Sequence, residues 1–342
     1  MKPKTKKKLK RTAVILAVVI VIYAVIALFP RTDNFPLENP FIAKEGDMPM
    51  LIAHGGGHLE FPDNTLEAFY NAYSVDRNVM METDCSITKD GVVILSHDTT
   101  LDRKTNVTGN IADWNYTDLM AQKVDFGYTN PTNDDDILIG DREHFKTDDG
   151  VEKYPTDVEY PEGIGPRDEK VFLATTFEEL LAAFPDNYIN IEIKQSGELG
   201  LKALKEVLRL IEKYDAFDRV VVASFHNEIY DEFMRLIEDE EVPETFMCSP
   251  GTMGAVRFVG LQTFGLDALF NDGMCVFQIP MKEYGFNLAK ASLIKNAHKH
   301  NLAVQYWTID DPEDMRYLIE IGADGIMTNY PHLLKEVYDE YK

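Results

Sequence analysis

Residues 51–98 read LIAHGGGHLEFPDNTLEAFYNAYSVDRNVMMETDCSITKDGVVILSHD. An apolar run, Leu51-Ile-Ala, ends in His54 and opens a triple glycine, Gly55-Gly-Gly57. Apolar residues then recur at helical spacing over 66–74, and a second apolar run ends in Glu82-Thr-Asp84. Strand, helix and strand in that order, with polar side chains at the strand ends, predict a parallel β/α unit carrying chemistry on one rim. A further strand-like run ends in His97-Asp98.

The alternation continues along the chain. Strand candidates are 51–53, 79–84, 188–193, 220–224, 245–248, 276–279, 303–307 and 325–328. Amphipathic stretches lie at 66–74, 177–184, 200–214, 228–238, 292–300 and 313–321, and 332–341 closes the series. Thr176 and Glu179 form a capping box at one helix start. Eight strands alternating with helices over ~290 residues predict an α/β fold, a (β/α)8 TIM barrel, in preference to an open doubly wound sheet. The position of the polar residues favours closure: His54, Glu82, Asp84, Glu192, Lys194 and Trp307 all fall at carboxyl ends of strands, the rim where barrel enzymes work. After the second strand, about residues 110–170 are acidic, hold proline and glycine, and lack periodicity. They are expected to be an insertion beside that rim.

The barrel is expected over 50–342. Before it, residues 1–11 carry six lysines and Arg11, and 12–29 form an uncharged apolar run rich in Val, Ile, Ala and Leu. Such a run is the length of one transmembrane helix, and no small-residue cleavage site follows it, so an uncleaved anchor is expected. Basic residues on its N-terminal side orient that end to the cytoplasm, placing the barrel outside the cytoplasm or in a lumen. Residues 30–49 are a polar, proline-spaced linker expected to hold the barrel off the membrane.

The formal charge is −24, and −31 once the seven basic residues of 1–11 are set aside. A body this acidic repels nucleic acid, and a phosphate-bearing substrate needs local cations to draw it in. Cys85, Cys248 and Cys275 are too few for a disulfide framework and are expected in the core.

Glu82 and Asp84 share one face of a strand, being two apart. Two carboxylates held together repel unless a cation lies between them, and Glu192 adds a third oxygen ligand from another strand. One divalent cation fits such a set, Mg²⁺ or Ca²⁺, with Mn²⁺ also admissible. His54 and His97 supply a base and an acid working near neutral pH. The combination suits phosphate ester cleavage. The other histidines are expected on the surface or in packing, with His226 at the rim. Phe225 and Trp307, at strand ends, either wall a substrate or belong to the core. The apolar 264–277 region admits the same two readings.

The run from His54 through Pro62-Asp-Asn-Thr65, Glu82-Thr-Asp84, Thr88-Lys-Asp-Gly91, His97-Asp98 and Leu101-Asp-Arg103 resembles the signature of the glycerophosphodiester phosphodiesterase family. Ile191-Glu-Ile-Lys194, Trp307-Thr-Ile and the run Gly322-Ala-Asp-Gly-Ile-Met-Thr-Asn-Tyr-Pro331 resemble it too. The resemblance implies a (β/α)8 barrel with a small insertion. It implies His54 and His97 as the acid–base pair, Glu82, Asp84 and Glu192 as metal ligands, and Lys194 as a phosphate contact. It further implies hydrolysis of a small or lipid-like phosphodiester. Glu-Thr-Asp-Cys85, Ser-His-Asp98 and Phe277-Gln-Ile-Pro280 are similar to a membrane-anchored, lysophospholipase D-like branch. Hydrolysis of a glycerophosphate polymer is a second substrate reading. The chain departs from the family at Gly55, where arginine usually follows the histidine, at Asp63 and at Asn329. Losing a guanidinium removes a bidentate phosphate contact. Arg103, Lys194 or the amides of Gly55-Gly-Gly57 are the candidates to replace it. A weakened barrel that binds glycerophosphodiesters or lipid headgroups without cleaving them is the non-enzymatic alternative.

Overall fold

Each of the eight apolar runs folds as a strand: β1 Met50–Ala53, β2 Met80–Ile87, β3 Ile189–Ile193, β4 Val220–Ala223, β5 Met247–Cys248, β6 Val276–Ile279, β7 Ala303–Tyr306 and β8 Gly325–Thr328. These come from a computed structural model that describes residues 3–129, 140–249, 252–283 and 285–342. Runs such as Val-Val-Val-Ala in β4 are apolar on both faces because one face meets the barrel interior and the other the surrounding helices. The strands form one parallel sheet in the order β5-β4-β3-β2-β1-β8-β7-β6, and Val93–Leu95 adds antiparallel to β2. At the seam the Cys275 amide donates to the Cys248 carbonyl at 3.2 Å, so the sheet is nearly closed.

A helix follows every strand. The expected ones are Leu66–Val75, Phe177–Ala183, Gly197–Lys213, Asn227–Glu238, Ala291–His298, Pro312–Glu320 and Pro331–Asp339. Thr176 and Glu179 make the anticipated capping box, each side chain accepting from the other's backbone amide at 3.1 and 2.8 Å. Among the helices that follow barrel strands, one escaped sequence reading, Thr252–Thr263 after β5. Its apolar residues run around the helix instead of down one stripe, which leaves no 3.6-residue signal.

Between β2 and its helix, the insertion contributes a short helix, Tyr116–Ala121, and a hairpin of Tyr128–Thr129 with Glu143–His144. It buries Phe126, Phe145 and Phe172, and the Tyr330 hydroxyl beside β8 hydrogen-bonds to Asp148. The insertion therefore reaches the rim. Residues 130–139 lie outside the described residues.

At the N-terminus, Pro3–Leu28 is a single helix, and within it 11–28 are unburied and long and apolar enough to cross a membrane. The segment 30–49 departs from the expected spacer. Phe35 and Phe41 are buried with Ile52, Met80, Val221, Val276 and Met327, filling the mouth at the strands' amino ends. Asn39 donates to the carbonyls of Cys275 and Asn301, the residues just before β6 and β7, and Asp324 accepts from the Ala43 amide just before β8. Two phenylalanines outweigh the polar composition, and the segment plugs the barrel.

Candidate active site

The opposite mouth collects the polar residues. In the β2–β3 register Asp84 pairs with Glu192 and Glu82 with Asn190. Alternation along each strand then turns all four toward the interior. Glu82, Asp84 and Glu192 present carboxylate oxygens within 4.8 Å of one another. Together with His54, His97 and Lys194 they line a cavity of about 290 Å³.

Each histidine is held by one nitrogen. His54 Nδ1 lies 2.6 Å from Asn329 Oδ1. The Asn329 amide nitrogen and backbone N–H donate to Asp310 at 2.7 and 2.8 Å, which fixes the side-chain oxygen toward His54. That oxygen only accepts, so Nδ1 carries the proton and Nε2 is the titrating atom, 4.0 Å from Glu82. His97 Nδ1 donates to Asp98 at 2.9 Å, and Arg103 Nε donates to the other Asp98 oxygen at 2.8 Å. Hydrogen bonding to Asp98 raises the His97 pKa against its burial. Burial by itself would lower His54, but Glu82, the Asn329 hydrogen bond, Asp84 and Asp63 together raise it.

Burial, and then the neighbouring Asp84, push both Glu82 and Glu192 above the ordinary carboxylate range. Lys194 Nζ sits 3.0 Å from Glu192 and 3.3 Å from Asp84. Burial opposes its charge, yet Asp84 and Glu192 hold it firmly protonated. Phe225 and Trp307 form an edge-to-face pair on the cavity wall, with ring centroids 6.4 Å apart, and Phe225 is half exposed.

Two candidates sit behind the cavity instead of lining it. The Gly55 amide donates to Glu82 at 2.9 Å and the Gly57 amide to the His54 carbonyl at 2.8 Å, so these amides support the site from within. Arg103 lies against Asp98.

Several site residues carried no assigned role in the sequence. Asn64 donates to the Asp84 carboxylate at 3.2 Å and accepts from the Asp84 amide and the Thr83 hydroxyl. It does so at φ +61°, an uncommon conformation for a residue other than glycine. Pro62-Asp-Asn-Thr65 was its signal. His58 packs beside His54, with centroids 5.8 Å apart, and burial pushes its pKa down to about 4. Asn190 Oδ1 is buried at the cavity with no hydrogen-bond partner among the described residues. Asn329 stood in the Gly322–Pro331 run, but nothing local tied it to Asp310, because their partnership joins β7 to β8. His226 stands at the rim as expected, its Nε2 2.9 Å from the Lys194 carbonyl.

Comparison with known proteins gives the chain's family and fold. The family model described as "Glycerophosphoryl diester phosphodiesterase family" matches residues 54–333. A Rattus norvegicus protein named lysophospholipase D GDPD1 is 25% identical over 308 residues, covering 83% of this chain and 84% of its own length. A Caldanaerobacter subterraneus glycerophosphodiester phosphodiesterase is 26% identical over 285 residues, covering 83% and 96%. Among solved structures, the phosphodiesterase domain of an uncharacterized Mycobacterium tuberculosis protein superposes with a TM-score of 0.63 at 18% identity, covering 85% of this chain and 99% of that one. An Oleispira antarctica phosphodiesterase, solved with the product sn-glycerol-3-phosphate, gives 0.57 at 16% identity, covering 85% and 97%. With the family model matching well over half of the chain, residues 54–333, the chain belongs to the glycerophosphoryl diester phosphodiesterase family.

Proposed function

We propose that this protein hydrolyses glycerol-based phosphodiesters to glycerol phosphate and an alcohol, with His54 and His97 as the proton-transfer pair. The observation that carries the reading is the pairing of two imidazoles, each tied back through Nδ1, around three clustered carboxylates in one cavity. A pair so arranged leaves two Nε2 atoms to exchange protons with a bound ester.

The site residues fit a divalent cation. Three clustered carboxylates, with Glu82 and Glu192 held back from ionising first by burial and then by the neighbouring Asp84, are stabilised by a positive charge between them. Asn190 Oδ1 offers a further neutral oxygen beside them. Glu82, Asp84 and Glu192 would hold Mg²⁺, Ca²⁺ or Mn²⁺. When bound, the cation neutralises phosphate charge and eases proton loss from a nearby hydroxyl.

The chain's own residues do the rest. One imidazole takes the proton of the attacking hydroxyl, from water or from the glycerol 2-position, as a new P–O bond forms. The other protonates the departing alkoxide as the old P–O bond breaks. Lys194 balances phosphate charge, while Phe225 and Trp307 wall the glycerol or headgroup side. Arg103 acts through Asp98 on His97, and Gly55 acts through Glu82. The intact histidine pair and carboxylate set support an enzyme over a headgroup-binding barrel. Relatives named as lysophospholipase D keep lysophospholipids in view as a second substrate class. The N-terminal helix supports a single-pass anchor with a cytoplasmic N-terminus and the barrel on the other side.

The test offers glycerophosphocholine, glycerophosphoethanolamine and a lysophospholipid to the purified full chain in detergent, with Mg²⁺ or Ca²⁺ and then with chelator. Release of glycerol phosphate or lysophosphatidic acid that chelator abolishes is expected. Chelator-insensitive turnover removes the cation, and metal binding without turnover favours the binding-protein reading.

A further inference from the structure

The N-terminal helix does not leave the barrel through a free hinge. The Tyr23 hydroxyl donates to the Phe264 carbonyl at 2.9 Å, and a Cβ on Gly265 would lie 2.9 Å from the same hydroxyl. Past the helix end, Arg31 holds Asp267 through two hydrogen bonds of 2.9 and 3.1 Å, while its remaining nitrogen caps the helix at the Ala27 carbonyl. Asp267 is itself buried, near the fully buried His300. Helix and loop are thus tied together on both sides of the span's outer end.

These ties fix a depth. Tyr23 lies five residues inside Leu28, about 7.5 Å along the helix axis. The loop at Phe264 therefore stands level with the apolar part of the span, about where tyrosine marks a membrane interface. The loop presents Phe264 at 69% and Leu269 at 56% exposure, next to Leu28 at 83% and Phe29 at 55%. The neighbouring Phe270, Met274 and Phe277 are buried, which divides the apolar 264–277 region between core and surface. The loop connects the helix after β5 to β6, so it lies at the strands' amino ends, with the Phe35–Phe41 plug. The catalytic cavity is at their carboxyl ends.

We propose that residues 264–269 are a second membrane contact, with Phe264 and Leu269 inserted in the same interface as the anchor's outer end. The barrel then stands on the bilayer by its plugged mouth, its cavity opens to the aqueous phase, and its substrate is a dissolved glycerophosphodiester. This rests on the reading of the N-terminal helix as a membrane span. The occupant is lipid because the patch is continuous with that span. A strongly acidic body is repelled by anionic headgroups, so the contact rests on apolar burial and is not strengthened by anionic lipid.

The test uses the full chain in phosphatidylcholine vesicles, with a thiol-reactive fluorophore on Phe264→Cys, on Leu269→Cys, or on Phe286→Cys in the pair Lys282–Glu283 with Phe286–Asn287, which follows β6 at its carboxyl end. Cys85, Cys248 and Cys275 are buried, and the unsubstituted chain sets the labelling background. Shallow spin-labelled lipid is expected to reduce emission about twofold at 264 and 269, where iodide has little effect, with the opposite pattern at 286. All three positions are exposed, so two independent loop labels guard against one variant folding poorly. If the chain floats with the vesicles while iodide alone quenches 264 and 269, the second contact is wrong and the anchor stands. Lipid quenching at 286 instead overturns the orientation. A chain that does not float overturns the anchor, and the proposal with it.

Discussion

At His54 a carboxylate acts at one remove: Asp310 fixes Asn329, and Asn329 fixes the imidazole tautomer without placing a charge on it. Asn329→Ala frees the ring to take either tautomer. We expect kcat to fall about ten- to a hundredfold with KM little changed, measured by steady-state kinetics. A change confined to KM would assign Asn329 to binding. At Gly55 the backbone has φ +56°, and a Cβ would sit 2.8 Å from the Asp63 Cβ. Gly55→Ala is expected to cost about 1–3 kcal/mol in a urea melt, and an arginine there at least as much. The sequence shows that a guanidinium is missing at this position. Only the fold shows that the position suits glycine, with its amide committed to Glu82. His54, Glu82, Asp84, His97 and Lys194 were legible because each ends a strand-like run. Asn329 was visible within its motif, but its link to Asp310 was not, since a relay between two strands leaves no spacing to read.

At the level of elements, the β2–β3 register makes the acidic cluster, setting Asp84 opposite Glu192. Strand existence was readable from apolar runs and turn residues, but register was not, so Glu192 joined the site in the sequence by its place at a strand end and by the family resemblance. Helix Thr252–Thr263 went unread because its apolar residues form no single stripe. The cluster has a pH signature. Glu82 and Glu192 titrate above their unfolded range, so the stability tied to their protonated forms is complete below that range and is lost as pH rises through their folded values. A cation held by the proposed ligands would replace those protons. Differential scanning fluorimetry should therefore show saturating Mg²⁺ or Ca²⁺ raising Tm by about 5 °C at pH 7.5, with the gain shrinking toward pH 5. A gain independent of pH would place the cation elsewhere.

For the whole molecule, the barrel, the apolar N-terminal helix and the insertion after β2 were visible in the alternation and composition. The plug was not, because Pro30 to Pro49 reads as a polar spacer while two isolated phenylalanines decide its packing. A chain starting at residue 36 loses Phe35 and the Arg31 tie. It is expected to be about 3 kcal/mol less stable than one starting at residue 30, by denaturant melts of the two soluble fragments. Equal stability would return the segment to the role of a spacer. The proton-transfer pair is tested most directly by turnover of glycerophosphocholine in His54→Ala and His97→Ala, each compared with the unsubstituted chain at saturating cation. Each substitution should lower kcat about 10²–10⁴-fold while cation binding, followed by the Tm gain, persists. Near-normal kcat in either variant would contradict the two-histidine mechanism.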